Sequence, residues 1–140
     1  MGEAFRALVL DQNENSVSAE FRDLTTDDLP EGEVLVRVKW STLNYKDGMV
    51  LNGLGRLVRN YPHVPGIDFS GEVVSSSDDR YKPGDDVLLT GWRVGEAHWG
   101  GYGQLARVKS DWLVPLPDGL DASQAMAIGT AGFTAMLAVM

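Results

Sequence analysis

The run Val64-Pro65-Gly66-Ile67-Asp68-Phe69-Ser70-Gly71-Glu72-Val73-Val74 constrains the fold of this chain more than any other segment. A proline-glycine turn leads into a strand, Phe69 to Val74, with a glycine at its centre. Glycine inside a strand marks a bulge or a backbone passing too close for a side chain. The segment therefore predicts a bent strand pressed against a neighbour. Its surroundings have the pattern of a β domain. Phe5–Leu10 and Val17–Leu24 read as strands separated by the polar turn Asp11-Gln12-Asn13-Glu14-Asn15. In Val34–Ser41, Val34, Val36, Val38 and Trp40 alternate with Leu35, Arg37, Lys39 and Ser41, the period-2 signature of a strand with one buried face. The turn Lys82-Pro83-Gly84-Asp85 feeds a strand at Asp86–Thr90, and Tyr102–Val108 and Trp112–Val114 follow. Pro115 and Pro117 then stop the sheet.

Two segments read as helices. Asn44 to Leu51 is short and ends at Asn52-Gly53. The second begins at Asp121, which with Gln124 three residues on forms a capping box. Gly129 and Gly132 interrupt it, and then Phe133, Met136, Leu137 and Met140 recur at amphipathic helical spacing. No glycine, asparagine or proline closes this helix, so the sequence is expected to stop in mid-element.

Composition excludes several classes of partner. With 140 residues, 44% of them hydrophobic, the chain can build one compact domain with a core. A net charge of −8 has the wrong sign for nucleic acid or an anionic membrane surface. The absence of cysteine removes disulfides, thiolate nucleophiles and cysteine-based zinc sites. No apolar leader follows Met1, and no stretch approaches the length of a membrane span, so neither a signal peptide nor a transmembrane helix is expected. The chain reads as cytoplasmic.

Five motifs stand in a recognisable order: Asn44-Tyr45-Lys46-Asp47, the run from Pro65 to Val73, Lys82-Pro83-Gly84-Asp85-Asp86-Val87, Trp99-Gly100-Gly101-Tyr102, and the run from Gly129 to Met136. This order resembles the medium-chain dehydrogenase/reductase superfamily, and within it the acryloyl-CoA reductases of the zinc-free, quinone-oxidoreductase-like branch. Zinc-dependent members carry Gly-His-Glu where this chain has Gly66-Ile67-Asp68, and an isoleucine cannot coordinate a metal. The resemblance implies a mainly β, GroES-like, partly open β-barrel over roughly residues 5–115, with short helices near 44–52 and 121–140. It makes residues 1–120 the catalytic domain and residues 121–140 a helical connector toward a Rossmann domain not contained in this sequence. Gly53-Leu54-Gly55 and Gly100-Gly101-Tyr102-Gly103 do not read as phosphate-binding loops, since neither opens a capped helix after a strand.

The resemblance also implies NADPH as cofactor, an acyl-CoA-type substrate, no metal, and a homodimer in the full-length enzyme. It places Tyr45 beside the nicotinamide and the reacting double bond, with Asn44, Thr130 and Thr134 near the cofactor. Packing on the barrel or in the core is the alternative for Tyr45 and for both threonines. Asp68 stands where metal enzymes hold a zinc-binding carboxylate. It is expected at the substrate cleft, orienting Lys46 or a backbone amide. Trp92, Arg93 and Trp99 are further cleft candidates, the tryptophans beside an adenine or pantetheine channel or packed into the barrel. Arg56, Arg59 and Arg93 lie in expected loops; they would suit the phosphates of a CoA substrate, yet isolated arginines are usually solvated surface. His63 and His98 lack metal-ligand spacing and read as loop histidines. Three functions stay open: enoyl-thioester reduction, reduction of quinones or other activated enones, and a non-enzymatic interaction module.

Overall fold

A computed structural model describes all 140 residues. Strands β1 (Ala4–Asn13) and β2 (Ser16–Thr25) form an antiparallel hairpin paired along their whole length. Its connection is only Glu14-Asn15, with Glu14 in the left-handed region at φ 51°. Asp11, Gln12 and Asn13, expected in the turn, therefore lie in β1, opposite Ser18, Val17 and Ser16. Ladder hydrogen bonds form between backbones, so exposed polar side chains do not end a strand once a tight turn sets the register.

The remaining strands are β3 (Val34–Ser41), β4 (Phe69–Ser76), β5 (Asp86–Leu89), β6 (Leu105–Val108) and β7 (Val114–Pro115). They form one antiparallel sheet in the order β6-β3-β4-β5-β7. The hairpin joins this sheet's loops through single bridges, Ala7 to Gly103 and Leu10 to His63, and the two sheets do not close into a full barrel. The expected partly open architecture is what the chain forms.

Gly71 explains the bend read from the sequence. A Cβ there would sit on the Arg37 carbonyl of β3, so only hydrogen fits. Directly beside it the β3–β4 register slips between Val38 and Trp40, leaving Lys39 as the extra residue of a bulge. The slip also breaks the alternation, and Trp40 is 55% exposed rather than buried with the valines. A second correction concerns the start of β3, where both faces are buried. Val34 and Val36 pack with Phe69, Val73, Leu89 and Val108, while Leu35 packs with Phe5, Ala7, Val9 and Leu105 under the hairpin. Each such side chain, fully buried, contributes about 1.5–3 kcal/mol.

Toward the end of the chain the strands are shorter than expected. Tyr102–Gln104 is irregular, and Trp112 belongs to a single 3-10 turn at Ser110–Trp112 instead of a strand. Pro115 does not stop the sheet but sits within it, on the edge strand opposite Val87, where no donor is needed on the outer side.

Two α-helices complete the fold, α1 (Tyr45–Leu51) and α2 (Ala122–Val139). The expected capping box of α2 is present: Gln124 N donates to Asp121 Oδ1 at 2.8 Å, and Asp121 N to Gln124 Oε1 at 2.9 Å. Gly129 breaks the helix with φ 49° and ψ −160°, a backbone conformation that side-chain-bearing residues avoid. Before the break Ala125 and Met126 are buried; beyond it Phe133, Met136 and Leu137 are all about 60% exposed. The expectation that no segment is long and apolar enough to span a membrane needs correction. By length and composition alone α2 qualifies, with 18 residues at a mean hydropathy of 1.3. The Gly129 break divides it into two shorter pieces.

Candidate active site

The site begins at the first turn of α1. Asn44 caps the helix, and its N–H donates to Asp47 Oδ2 at 2.8 Å. Asp47 has no solvent-exposed surface, and its other oxygen accepts from Ile67 N at 3.0 Å, tying α1 to the turn before β4. Burial pushes the Asp47 carboxyl up from its ordinary value, opposed by these backbone hydrogen bonds and reinforced by the neighbouring Asp68. The Tyr102 phenol is pushed up as well, by burial and then by the charge of Asp47, and donates to the Thr42 carbonyl at 2.7 Å.

Asp68 is also fully buried. It accepts from Thr130 N at 2.8 Å, Thr130 Oγ1 at 2.6 Å, Thr42 Oγ1 at 3.2 Å and Asn44 Nδ2 at 3.3 Å. One carboxylate thus joins the β3–α1 connection to the residue that follows the break in α2. Of the two partners expected for Asp68, a backbone amide is present and Lys46 is not. Lys46 Nζ instead pairs with Glu96 Oε2 at 3.3 Å.

Above Asp68 lies an open cleft of about 800 Å³. Ile67, Ala131, Ala135 and Ala138 give it apolar walls, and Asn44, Tyr45, Lys46, Glu96, Thr130 and Thr134 bring polar groups to it. Tyr45 is 87% exposed and its hydroxyl has no hydrogen-bond partner within the chain. The Thr134 hydroxyl donates to the Thr130 carbonyl at 2.8 Å, leaving its lone pairs free to accept. On the rim, Trp92 and Arg93 both have φ 58°, a costly arrangement for two consecutive residues with side chains. Trp92 also stacks on Trp112, ring centroids 6.5 Å apart.

Six of the residues singled out in the sequence therefore meet here: Asn44, Tyr45, Trp92, Arg93, Thr130 and Thr134. Asp68 lies beneath the cleft as its anchor and does not line it. Trp99 is elsewhere, packed against the core under the hairpin with Nε1 donating to Pro62 O at 3.2 Å. The loop histidines are buried more than expected. His63 is 2% exposed, Nε2 lies 2.8 Å from Gly95 O, and burial lowers its pKa. His98 bonds Arg107 O and meets the Trp112 ring edge-on. Sequence reasoning missed Asp47 and Glu96. The three-residue spacing from Asn44 to Asp47 is a capping signal that could have revealed the first; Glu96 carried none.

The glycine run cannot cradle phosphates, because the amides of Gly100, Gly101 and Tyr102 already donate to Val64, Gly66 and Pro65. No group of three His, Asp or Glu side chains is placed to hold a metal ion. A second groove, about 500 Å³ and flanked by Arg6, Phe21 and Trp40, brings together no comparable set of polar groups; its Lys39 is paired with Glu72 and Asp86.

The alcohol dehydrogenase GroES-like domain matches residues 30–118. A protein of Ruegeria pomeroyi named acrylyl-CoA reductase is 67% identical over 97% of this chain and 42% of its own length. A Bacillus subtilis protein named putative quinone oxidoreductase is 45% identical over 99% of this chain and 42% of its own. The crystal structure of Escherichia coli YhdH with bound NADPH superposes with a TM-score of 0.93 at 57% identity, over 96% of this chain and 42% of that one. The chain thus spans 42% of the length of these relatives.

Proposed function

The chain belongs to the alcohol dehydrogenase GroES-like domain family, on the zinc-free, quinone-oxidoreductase-like branch of the medium-chain dehydrogenases/reductases, and from that premise we propose that it forms the catalytic half of an NADPH-dependent enoyl-thioester reductase. The other half of this two-domain enzyme is a Rossmann domain. The observation that carries the reading is the free Tyr45 hydroxyl, held by the first turn of a capped helix at the mouth of an apolar-walled cleft.

The residues here fit the nicotinamide end of the cofactor and not its phosphates. Ile67 and Ala131 offer apolar surface for a ring, while Tyr45 and Thr134 offer hydroxyls for a carboxamide. The loop amides that would hold pyrophosphate are already bonded within the chain. When bound, NADPH supplies the hydride that adds to the β-carbon of acryloyl-CoA. A solvent-derived proton then completes the α-carbon, giving propionyl-CoA and NADP⁺. Negative charge develops on the thioester oxygen as the β-carbon is reduced. The Tyr45 hydroxyl, not engaged within the chain, donates to that oxygen in the manner of an oxyanion hole. Asp68 holds Thr130 and Asn44 so that the two walls of the cleft keep their spacing.

The test is consumption of NADPH by the two-domain enzyme with acryloyl-CoA against a panel of quinones. Preference for the thioester in kcat/KM is the expected outcome. Quinone reduction without thioester reduction would transfer the site to the second reading, which the resemblance to the Bacillus subtilis protein supports.

A further inference from the structure

A smaller recess of about 220 Å³, lined by Leu57, Arg59, Asn60, Arg93, Glu96 and Ala97, lies next to the cleft and shares Arg93 and Glu96 with it. Arg59 arrives from the segment after α1 and Arg93 from the left-handed turn at Gly91-Trp92-Arg93, so residues distant in sequence converge. Neither guanidinium has an ion pair or a side-chain hydrogen bond within the chain, whereas Arg22, Arg37 and Arg80 all hold carboxylates. The one acid in the recess, Glu96, is buried and answered by Lys46 at 3.3 Å. The recess is therefore locally cationic on a chain of net charge −8. Two unpaired guanidinium groups beside an otherwise neutralised acid suit an oligo-anion, and guanidinium matches phosphate oxygens in bidentate geometry.

We infer that Arg59 and Arg93 form the subsite for the phosphates of the coenzyme A tail, the acyl end lying in the adjoining cleft beside Tyr45. The inference rests on the thioester reading above. It adds a discriminating element that a reductase of simple quinones has no need of, because a quinone carries no phosphate. Asn60 offers a neutral amide at the same wall, and exposed Trp92, the neighbour of Arg93 in sequence, lines the adjoining cleft.

The experiment compares acryloyl-CoA with acryloyl-pantetheine, which has the same reacting end and thioester arm but no phosphates. The variants are Arg59→Ala and Arg93→Asn, asparagine being chosen because it tolerates the left-handed backbone at Arg93. Both side chains are exposed, so folding is checked simply by circular dichroism. Each variant is expected to lower the ratio of kcat/KM for acryloyl-CoA to that for acryloyl-pantetheine by about 10–100-fold, as for loss of one charge-assisted hydrogen bond. KM for NADPH should stay near wild type. An unchanged ratio overturns the subsite while leaving enoyl-thioester reduction intact. A loss seen mainly in KM for NADPH assigns the arginines to the cofactor and overturns it as well. A wild-type enzyme that reduces neither thioester defeats the parent reading, and the subsite falls with it.

Discussion

Asp68 and Thr130 lie 62 positions apart, yet the carboxylate accepts from both the backbone N and the hydroxyl of Thr130, at 2.8 and 2.6 Å. A helix interrupted at Gly129 exposes the amide of the next residue, and a buried carboxylate fills the gap. Asp68→Asn exchanges one acceptor oxygen for a donor facing donors. It is expected to destabilise the domain by about 1–3 kcal/mol, read from the urea midpoint. Its effect on kcat should be smaller than that of replacing Tyr45. A variant as stable as wild type would remove Asp68 from the scaffold.

Much of this was legible in the sequence, for identifiable reasons. Gly71 announced a close backbone approach because no other residue fits against the Arg37 carbonyl. The Asp121 cap was visible because capping depends on short local spacings, and the Asn44–Asp47 spacing is a signal of the same kind that went unread. Trp40 was misread because a one-residue bulge at Lys39 reverses the alternation, and nothing local marks it. Both buried faces at Val34–Val36 were hidden for a related reason: the second face is covered by the hairpin, a long-range pairing. Tyr45, Arg93 and Thr134 were named as candidates, but only the fold brings them to one cleft. Asp68 and Trp99 carried the same motif-level signal and lie outside it.

The metal-free reading follows from donor chemistry. Ile67 supplies no ligand, cysteine is absent, and no three His, Asp or Glu groups converge. The two-domain enzyme should keep its activity after exhaustive chelation. Stoichiometric zinc in elemental analysis, lost together with activity, would contradict this.

Cofactor affinity should be divided between the two halves. The cleft offers hydroxyls and apolar walls, but the amides of the Gly100–Tyr102 run are bonded to the chain itself. Titration calorimetry of the 140-residue chain with NADPH is expected to show no binding in the micromolar range. A clear micromolar isotherm would locate the cofactor's own phosphate site within this chain and overturn the division.

Burial of His63, and to a lesser extent His98, predicts acid sensitivity. Burial lowers the pKa of both in the folded state, while the unfolded chain protonates them near the ordinary value of about 6.5. Below that value the unfolded state binds more protons, so stability must fall as pH falls, by at most about 1.4 kcal/mol per pH unit per histidine. Asp47, with a raised pKa, acts in the opposite sense, its folded form taking up a proton before the unfolded carboxyl does. The variant His63→Gln separates the contributions, since the amide can still donate to Gly95 O. Between about pH 7.5 and about pH 5.5 the urea midpoint of wild type should drop, and the drop should be smaller in the variant. Identical pH dependence in the two proteins would remove His63 from the account.

The sharpest expectation concerns Tyr45. Its side chain is 87% exposed and makes no hydrogen bond within the chain, so removing the hydroxyl should leave stability within about 0.5 kcal/mol of wild type. Its backbone is fixed all the same, at the first position of a helix whose cap is tied to buried Asp47. A hydroxyl rigidly presented and otherwise unused is suited to a partner that arrives with the substrate. If it donates to the thioester oxygen as charge develops there, Tyr45→Phe in the two-domain enzyme should lower kcat/KM by about 10–1000-fold, mostly through kcat. If it only positions the nicotinamide, the loss should be smaller and appear in KM for NADPH. Steady-state kinetics with both substrates varied separate these outcomes. Wild-type values in both kcat and KM would exclude the Tyr45 hydroxyl from the mechanism.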